Sequence, residues 1–269
     1  MPTFSKQLAG GKAISGGALQ PRGRRGNTAQ VAGYWSGGKR SDIDLLVQVI
    51  GSGAGGHGGT YGAGWGAGGS GGGVSQGVVV KGAGTFLVTV GAAGSRNGNG
   101  NVSSFDTISA NGGLTGAGSW GDVGRAGGTG NYGNGGAGGS ANCGGGGAGP
   151  ISNFATGSNV QYSGGGTAGC GGQTGGGAGG GGFSGFNGDG GTGYYTGGNG
   201  TQYGAGGGGG YGMWAQGTGG FGYQGVVHIK YLTGDKTDAG LTITGGSITT
   251  VGAYTVHTFT GTTNLVITA

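Results

Sequence analysis

The chain has 269 residues, of which 89 are glycine, with 7% charged side chains, no glutamate, three prolines and two cysteines. One-third glycine without proline or a strict Gly-X-Y repeat excludes a collagen triple helix, and so little charge is unlike the composition that keeps disordered segments solvated. The net charge of +5 has a single source: residues 1–42 hold Lys6, Lys12, Arg22, Arg24, Arg25, Lys39 and Arg40 against Asp42 alone.

Those first 42 residues read as a basic attachment arm with too few large apolar side chains for a core of its own. The Arg22-Gly-Arg24-Arg25-Gly26 unit occurs once and lacks the repetition of RNA-binding arginine-glycine segments, so the expected partner is protein and not nucleic acid. Arg22, Arg24, Arg25 and Trp35 are the expected contacts. No apolar leader or membrane-length run stands in the chain.

Next, 43–50 is an apolar run with strand composition that ends at Gly51. Two further strands are predicted within 77–90, turning at Gly82 to Gly84, and others at 103–109 and 226–231. Between and around them lie glycine runs such as 144–147 and 206–210, interrupted by large aromatics that include Tyr61, Trp65, Trp120, Tyr132, Phe154 and Tyr162. Glycine loses the most backbone entropy on folding and brings no side chain to bury. Such a stretch is ordered only in a geometry that glycine alone permits. The expected geometry over 52–225 is a bundle of polyglycine-II helices, each with three residues per turn and no internal hydrogen bonds, whose N–H and C=O groups pair with neighbouring helices. From Leu241 onward Thr, Val and Ile dominate, and strands at 241–244, 247–250, 254–259 and 264–268 are predicted to form a small β-meander. No segment carries a helical period or a capped helix start, so the fold class is irregular to all-β with negligible α-helix. Three parts are expected: the arm 1–42, a glycine-rich domain 43–232 and a β-strand tail 233–269.

Catalytic groupings are absent from this pattern. His57, His228 and His257 are far apart in sequence, and the last two fall in predicted strands. Paired-carboxylate chemistry has little to draw on. Matches to G-x-G-x-x-G are chance at this glycine density, and Gly234-Asp-Lys-Thr237 lacks the glycine directly before lysine that a phosphate-binding loop requires. Cys143 and Cys170 sit within glycine runs without the further ligands of a zinc site, and read as buried thiols or as a disulfide under oxidising conditions. No enzyme, cofactor or metal is expected.

Several segments carry a resemblance: the apolar strand opening into glycine-rich sequence (45–59), Phe86-Leu-Val-Thr-Val-Gly-Ala-Ala-Gly94, Asn97-Gly-Asn-Gly-Asn-Val-Ser-Ser-Phe-Asp-Thr-Ile-Ser-Ala-Asn-Gly-Gly113 and Gly225-Val-Val-His-Ile-Lys-Tyr231. In that order they resemble the glycine-rich domain of bacteriophage tail-fibre and minor tail proteins, over residues 43–232. A looser similarity is to the polyglycine-II distal tail-fibre adhesin of T-even-like phages. The resemblance implies a virion protein, made in the host cytoplasm and carried on the extracellular particle. It would contact other tail or fibre subunits and a host-surface protein or glycan, as a homotrimer or a cap on a trimeric fibre. Tyr194, Tyr195, Tyr211 and Trp214, in breaks between glycine runs, are the expected receptor contacts. Two other readings stand beside it: an architectural virion component, such as a head-decoration or fibre-joining piece, and a non-viral glycine-rich ice- or surface-binding protein.

Overall fold

The computed structural model describes residues 41–59, 64–116, 125–138, 145–169, 196–212 and 217–269. Ser41–Ala269 forms one compact unit. Its strands in chain order are β1 (Asp42–Ile50), β2 (Gly64–Trp65), β3 (Val74–Gly82), β4 (Gly84–Thr89), β5 (Ser103–Phe105), β6 (Ile108–Ala110), β7 (Ile151–Ser152), β8 (Val160–Gln161), β9 (Tyr211–Gly212), β10 (Val226–Leu232), β11 (Thr242–Thr244), β12 (Ser247–Val251), β13 (Tyr254–Phe259) and β14 (Thr263–Thr268), with a short helix α1 (Thr233–Ala239) between β10 and β11. The fold is mostly β, with negligible helix.

Two five-stranded antiparallel sheets, ordered β12-β13-β10-β1-β3 and β11-β14-β4-β5-β6, face each other across one hydrophobic core. Strand periodicity of two decides which side chains enter it. Ile43, Leu45, Val47 and Val49 of β1 point inward with Val227, Ile229 and Tyr231 of β10, and meet Val88, Phe105, Ile243, Leu265 and Ile267 from the opposite sheet. The predicted turn at Gly82 to Gly84 is present, but β3 and β4 do not pair. The chain crosses there from one sheet to the other, and β1 and β14 are the strands that pair with β3 and β4 on either side.

The C-terminal segment corrects one expectation. It is not a meander: β12 pairs with β13, β13 extends the first sheet through β10, and β11 and β14 pair with each other and extend the second sheet through β4. The physical reason is amphipathicity. Ile243, Phe259, Leu265 and Ile267 are almost fully buried, which four strands lying in one separate sheet could not achieve. Helix α1 carries the chain from the first sheet to the second. It ends where Gly240 adopts the left-handed conformation (φ 68°) and donates to Thr237 O, while Leu241 donates to Lys236 O.

Beyond Ile50 and before Val226 the backbone changes character. Gly51, Ala54 and His57 donate to the carbonyls of Gly73, Ser70 and Ala67; Ser52 and Gly55 donate to Asn101 and Gly98; Gly53 and Gly56 donate to Tyr223 and Gly220. The donor number rises by three as the acceptor number falls by three, so each neighbour runs antiparallel and successive residues address different neighbours. Residues 66–74 repeat the arrangement: Gly66, Gly69 and Gly72 donate to Gly210, Gly207 and Gly204, Ser70 and Gly73 to Leu114 and Asn111, and Gly71 and Val74 to Gly136 and Gly133. These bonds are 2.8–3.1 Å long. A β-strand bonds in one plane because its period is two. A period of three spreads the bonds around the segment axis and builds a three-dimensional lattice.

Glycine is required here by space more than by dihedral angle. A Cβ on Gly53 would overlap the carbonyl oxygen of Ala205, and one on Gly71 that of Ser163, although neither glycine has a left-handed φ. The small non-glycine residues fit where a gap remains: Ala54, Ala67 and Ala205 are fully buried, and Ser70 Oγ closes a pair of bonds with Leu114, donating to its carbonyl at 3.0 Å and accepting from its N–H at 2.7 Å.

Candidate functional site

The lattice has two unlike ends. At one end Ile50 and Val226 pair across β1 and β10, so segments 51–57 and 217–225 are direct continuations of the two central strands of the first sheet. At the other end Gly217 donates to Gly59 O, Gly169 to Gly66 O, Gly210 to His57 O and Gly138 to Arg125 O. Strands β2 and β9 pair there through Trp65 and Tyr211, a bridge joins Thr196 to Thr218, and Thr218 Oγ1 donates to Thr196 Oγ1 at 3.2 Å. Ser41, where the described chain enters β1, lies at the opposite end of that strand from Ile50.

Of the sequence-predicted receptor contacts, Tyr211 is at the far end in β9, opposite Trp65. Tyr194, Tyr195 and Trp214 lie outside the described residues, as do Arg22, Arg24, Arg25 and Trp35 of the arm and both cysteines. His57 also belongs to the far end. Its Nδ1 lies 2.7 Å from Gly58 O, and Asn97 Oδ1 accepts from the N–H of Gly58 at 2.9 Å, tying the turn at 95–98 to the segment end.

The other two histidines serve the sandwich. His257 is fully buried, with Nδ1 2.6 Å from Gly245 O and Nε2 3.0 Å from Tyr231 Oη. A carbonyl can only accept, so Nδ1 carries the proton and Nε2 accepts from the tyrosine. Burial lowers the pKa of this imidazole and raises that of Tyr231. His228 faces the other side of the same sheet, 3.1 Å from Thr258 Oγ1, and burial pushes its pKa down to about 4. Its ring lies 6.1 Å from that of Tyr162. Among the described residues no group of three or more His, Cys, Asp or Glu could hold a metal ion.

What sequence reasoning missed is on the outward face of the first sheet. Residues 150–162 form an excursion pinned over β1 by a buried polar contact in which Gln48 Nε2 donates to Ser152 Oγ at 2.7 Å. Lys230 of β10 reaches Phe154 of that excursion, 76 positions away in sequence. No local pattern announces a contact made across that separation. Comparisons with protein-family models, with curated proteins and with solved structures returned no match for this chain.

Proposed function

We propose that this chain is a bacteriophage virion protein of the tail fibre or tail tip that acts as a host-attachment adhesin, and that its glycine lattice is a polyglycine-II bundle. The three-residue donor period and the absence of room for Cβ atoms support the bundle. The observation that carries the binding role is that Tyr211 stands in β9, opposite Trp65, at the end of the lattice away from the sandwich. A scaffold held by its own backbone tolerates sequence change at its rim without loss of packing, which is what recognition of variable surfaces demands.

On this reading the arm 1–42 joins the chain to neighbouring virion subunits through Arg22, Arg24, Arg25 and Trp35. Tyr194, Tyr195, Tyr211 and Trp214 contact a host-surface protein or glycan, and the role is binding and not catalysis. The viral assignment rests on the sequence resemblance.

Replacing Tyr194, Tyr195, Tyr211 and Trp214 together by alanine is expected to lower adsorption to host cells while leaving the unfolding temperature of the particle-bound protein unchanged. A loss of stability with adsorption intact would overturn the assignment and favour a purely architectural virion component.

A further inference from the structure

The outward face of the first sheet holds a cleft of about 410 Å³, within the ~300–1,000 Å³ range of small-ligand sites. It lies at the sandwich, so it is separate from the lattice end to which the adhesin reading assigns binding. Its floor is Leu46 and Val78, its walls include Gln76, Tyr132 and Phe154, and Lys230 enters from β10. The floor is apolar and open, with Val78 62% exposed, and Tyr132 on the wall is 45% exposed.

Lys230 is the unusual member. Its ammonium sits 4.1 Å from the centroid of the Phe154 ring and 5.0 Å from that of Tyr254, and donates to the Phe154 carbonyl at 3.1 Å. Among the described residues no ion pair to Lys230 is formed, whereas Lys81 pairs with Asp106. An ammonium has three donors, and one is used by that carbonyl. Two aromatic faces and a carbonyl hold the cation in place while replacing part of its water, and burial accordingly lowers its pKa. A positioned, partly dehydrated cation with spare donors at the wall of an aromatic cleft favours an incoming anion, since charge-assisted hydrogen bonds are the strong ones.

We infer that this cleft is a binding site for a small carboxylate carried on a six-membered ring, with the carboxylate on Lys230 and the ring between Tyr132, Phe154 and the Leu46–Val78 floor. Such a group occurs on acidic sugars and on aromatic acids.

The test uses the full chain and follows backbone amide resonances while glucuronate and benzoate are added at millimolar concentration, with glucose and benzyl alcohol as their uncharged counterparts. Shifts at Phe154 and Lys230 are expected with the carboxylates and not with the neutral compounds. A response to glucuronate alone names an acidic sugar as the source, and a response to benzoate alone names an aromatic acid. Lys230→Met is expected to weaken binding about tenfold or more, the scale of one charge-assisted bond, and Lys230→Arg to retain it. Should Lys230→Met fail to fold, Gln76→Glu places a like charge on the opposite wall and is expected to produce the same loss. Equal response to the neutral compounds, undiminished binding in the folded variants, or no response to either carboxylate would overturn the assignment.

Discussion

The sandwich and the glycine lattice are continuous in chain and opposite in what holds them. In the sandwich, side chains such as Tyr231, Phe105, Phe259 and Leu265 are removed from water, and the stabilisation scales with buried apolar area. In the lattice there is little side chain to bury. Consecutive N–H groups are satisfied by different neighbours, each bond contributing a net ~1 kcal/mol, and the close packing of backbone on backbone adds dispersion. The first region tolerates exchange among apolar residues of similar volume. The second tolerates almost nothing but glycine at the shared faces.

The comparison breaks most sharply on a single methyl group. Gly53→Ala is expected to destabilise by more than the ~3 kcal/mol upper end of ordinary overpacking, because the atoms in the way are the carbonyls of Gly204 and Ala205 and not a side chain that can rotate. Gly145→Ala, where a Cβ meets nothing within 4 Å, is expected to be close to neutral. Chemical denaturation of the two variants measures the gap, and equal midpoints would mean that the lattice is not packed as described.

Acid separates the two regions next. His228 has its folded pKa lowered to about 4 from 6.5, so the unfolded chain binds the proton first as pH falls. Its contribution is fully present above pH 6.5, declines between 6.5 and about 4, and loses nothing further below that. The loss is at most roughly 3 kcal/mol from this one group. His257, whose pKa is also lowered by burial, acts in the same direction. Both belong to the sandwich, whereas the peptide bonds of the lattice do not titrate in this range. Unfolding followed by near-ultraviolet circular dichroism between pH 7 and 4 is expected to show falling stability, and His228→Gln is expected to flatten part of the slope. An unchanged slope in that variant would remove His228 as a source.

Amide exchange gives the smallest and most local contrast. Residues 51–57 are expected to be protected without alternation, because every one of them donates to a neighbouring segment. In β3, which is the edge strand of its sheet, the N–H of Gln76 points away from β1 to Asn131 Oδ1. Val78 and Val80 share its parity and are expected to exchange quickly while Val79 is protected. Alternating protection in 51–57 would indicate ordinary strand pairing.

How much of this was legible depended on range. Strand β13 stands at 254–259 as its alternation of Tyr, Val and Phe with Thr and His predicts, and β1 begins one residue before the expected 43–50. Strand β3 starts at Val74 and not at 77, because Gly73 and Gly77 hid its beginning inside glycine-rich sequence. Helix α1 has no apolar period, and Gly240 was its one readable signal. The pairing of β14 with β4 joins residues more than 170 positions apart, and nothing local encodes it. Glycine content announced close backbone packing, but which segments are neighbours is decided by the connections through the sandwich. The cleft was illegible for the same reason: Lys230 and Phe154 are unremarkable residues until the excursion 150–162 folds over β1.

The direct run of β1 into 51–57 and of 217–225 into β10 has a mechanical consequence. A pull applied at the far end of the lattice against Ser41 loads β1 along its own axis, in shear against β3 on one side and β10 on the other. The cross-strand bonds from Ile50 to Asp42 then share the load side by side and do not open one after another. A molecule so arranged resists traction along its length better than peeling from its flank, and the cooperative core of the sandwich, not the first hydrogen bond, sets the force at which it yields.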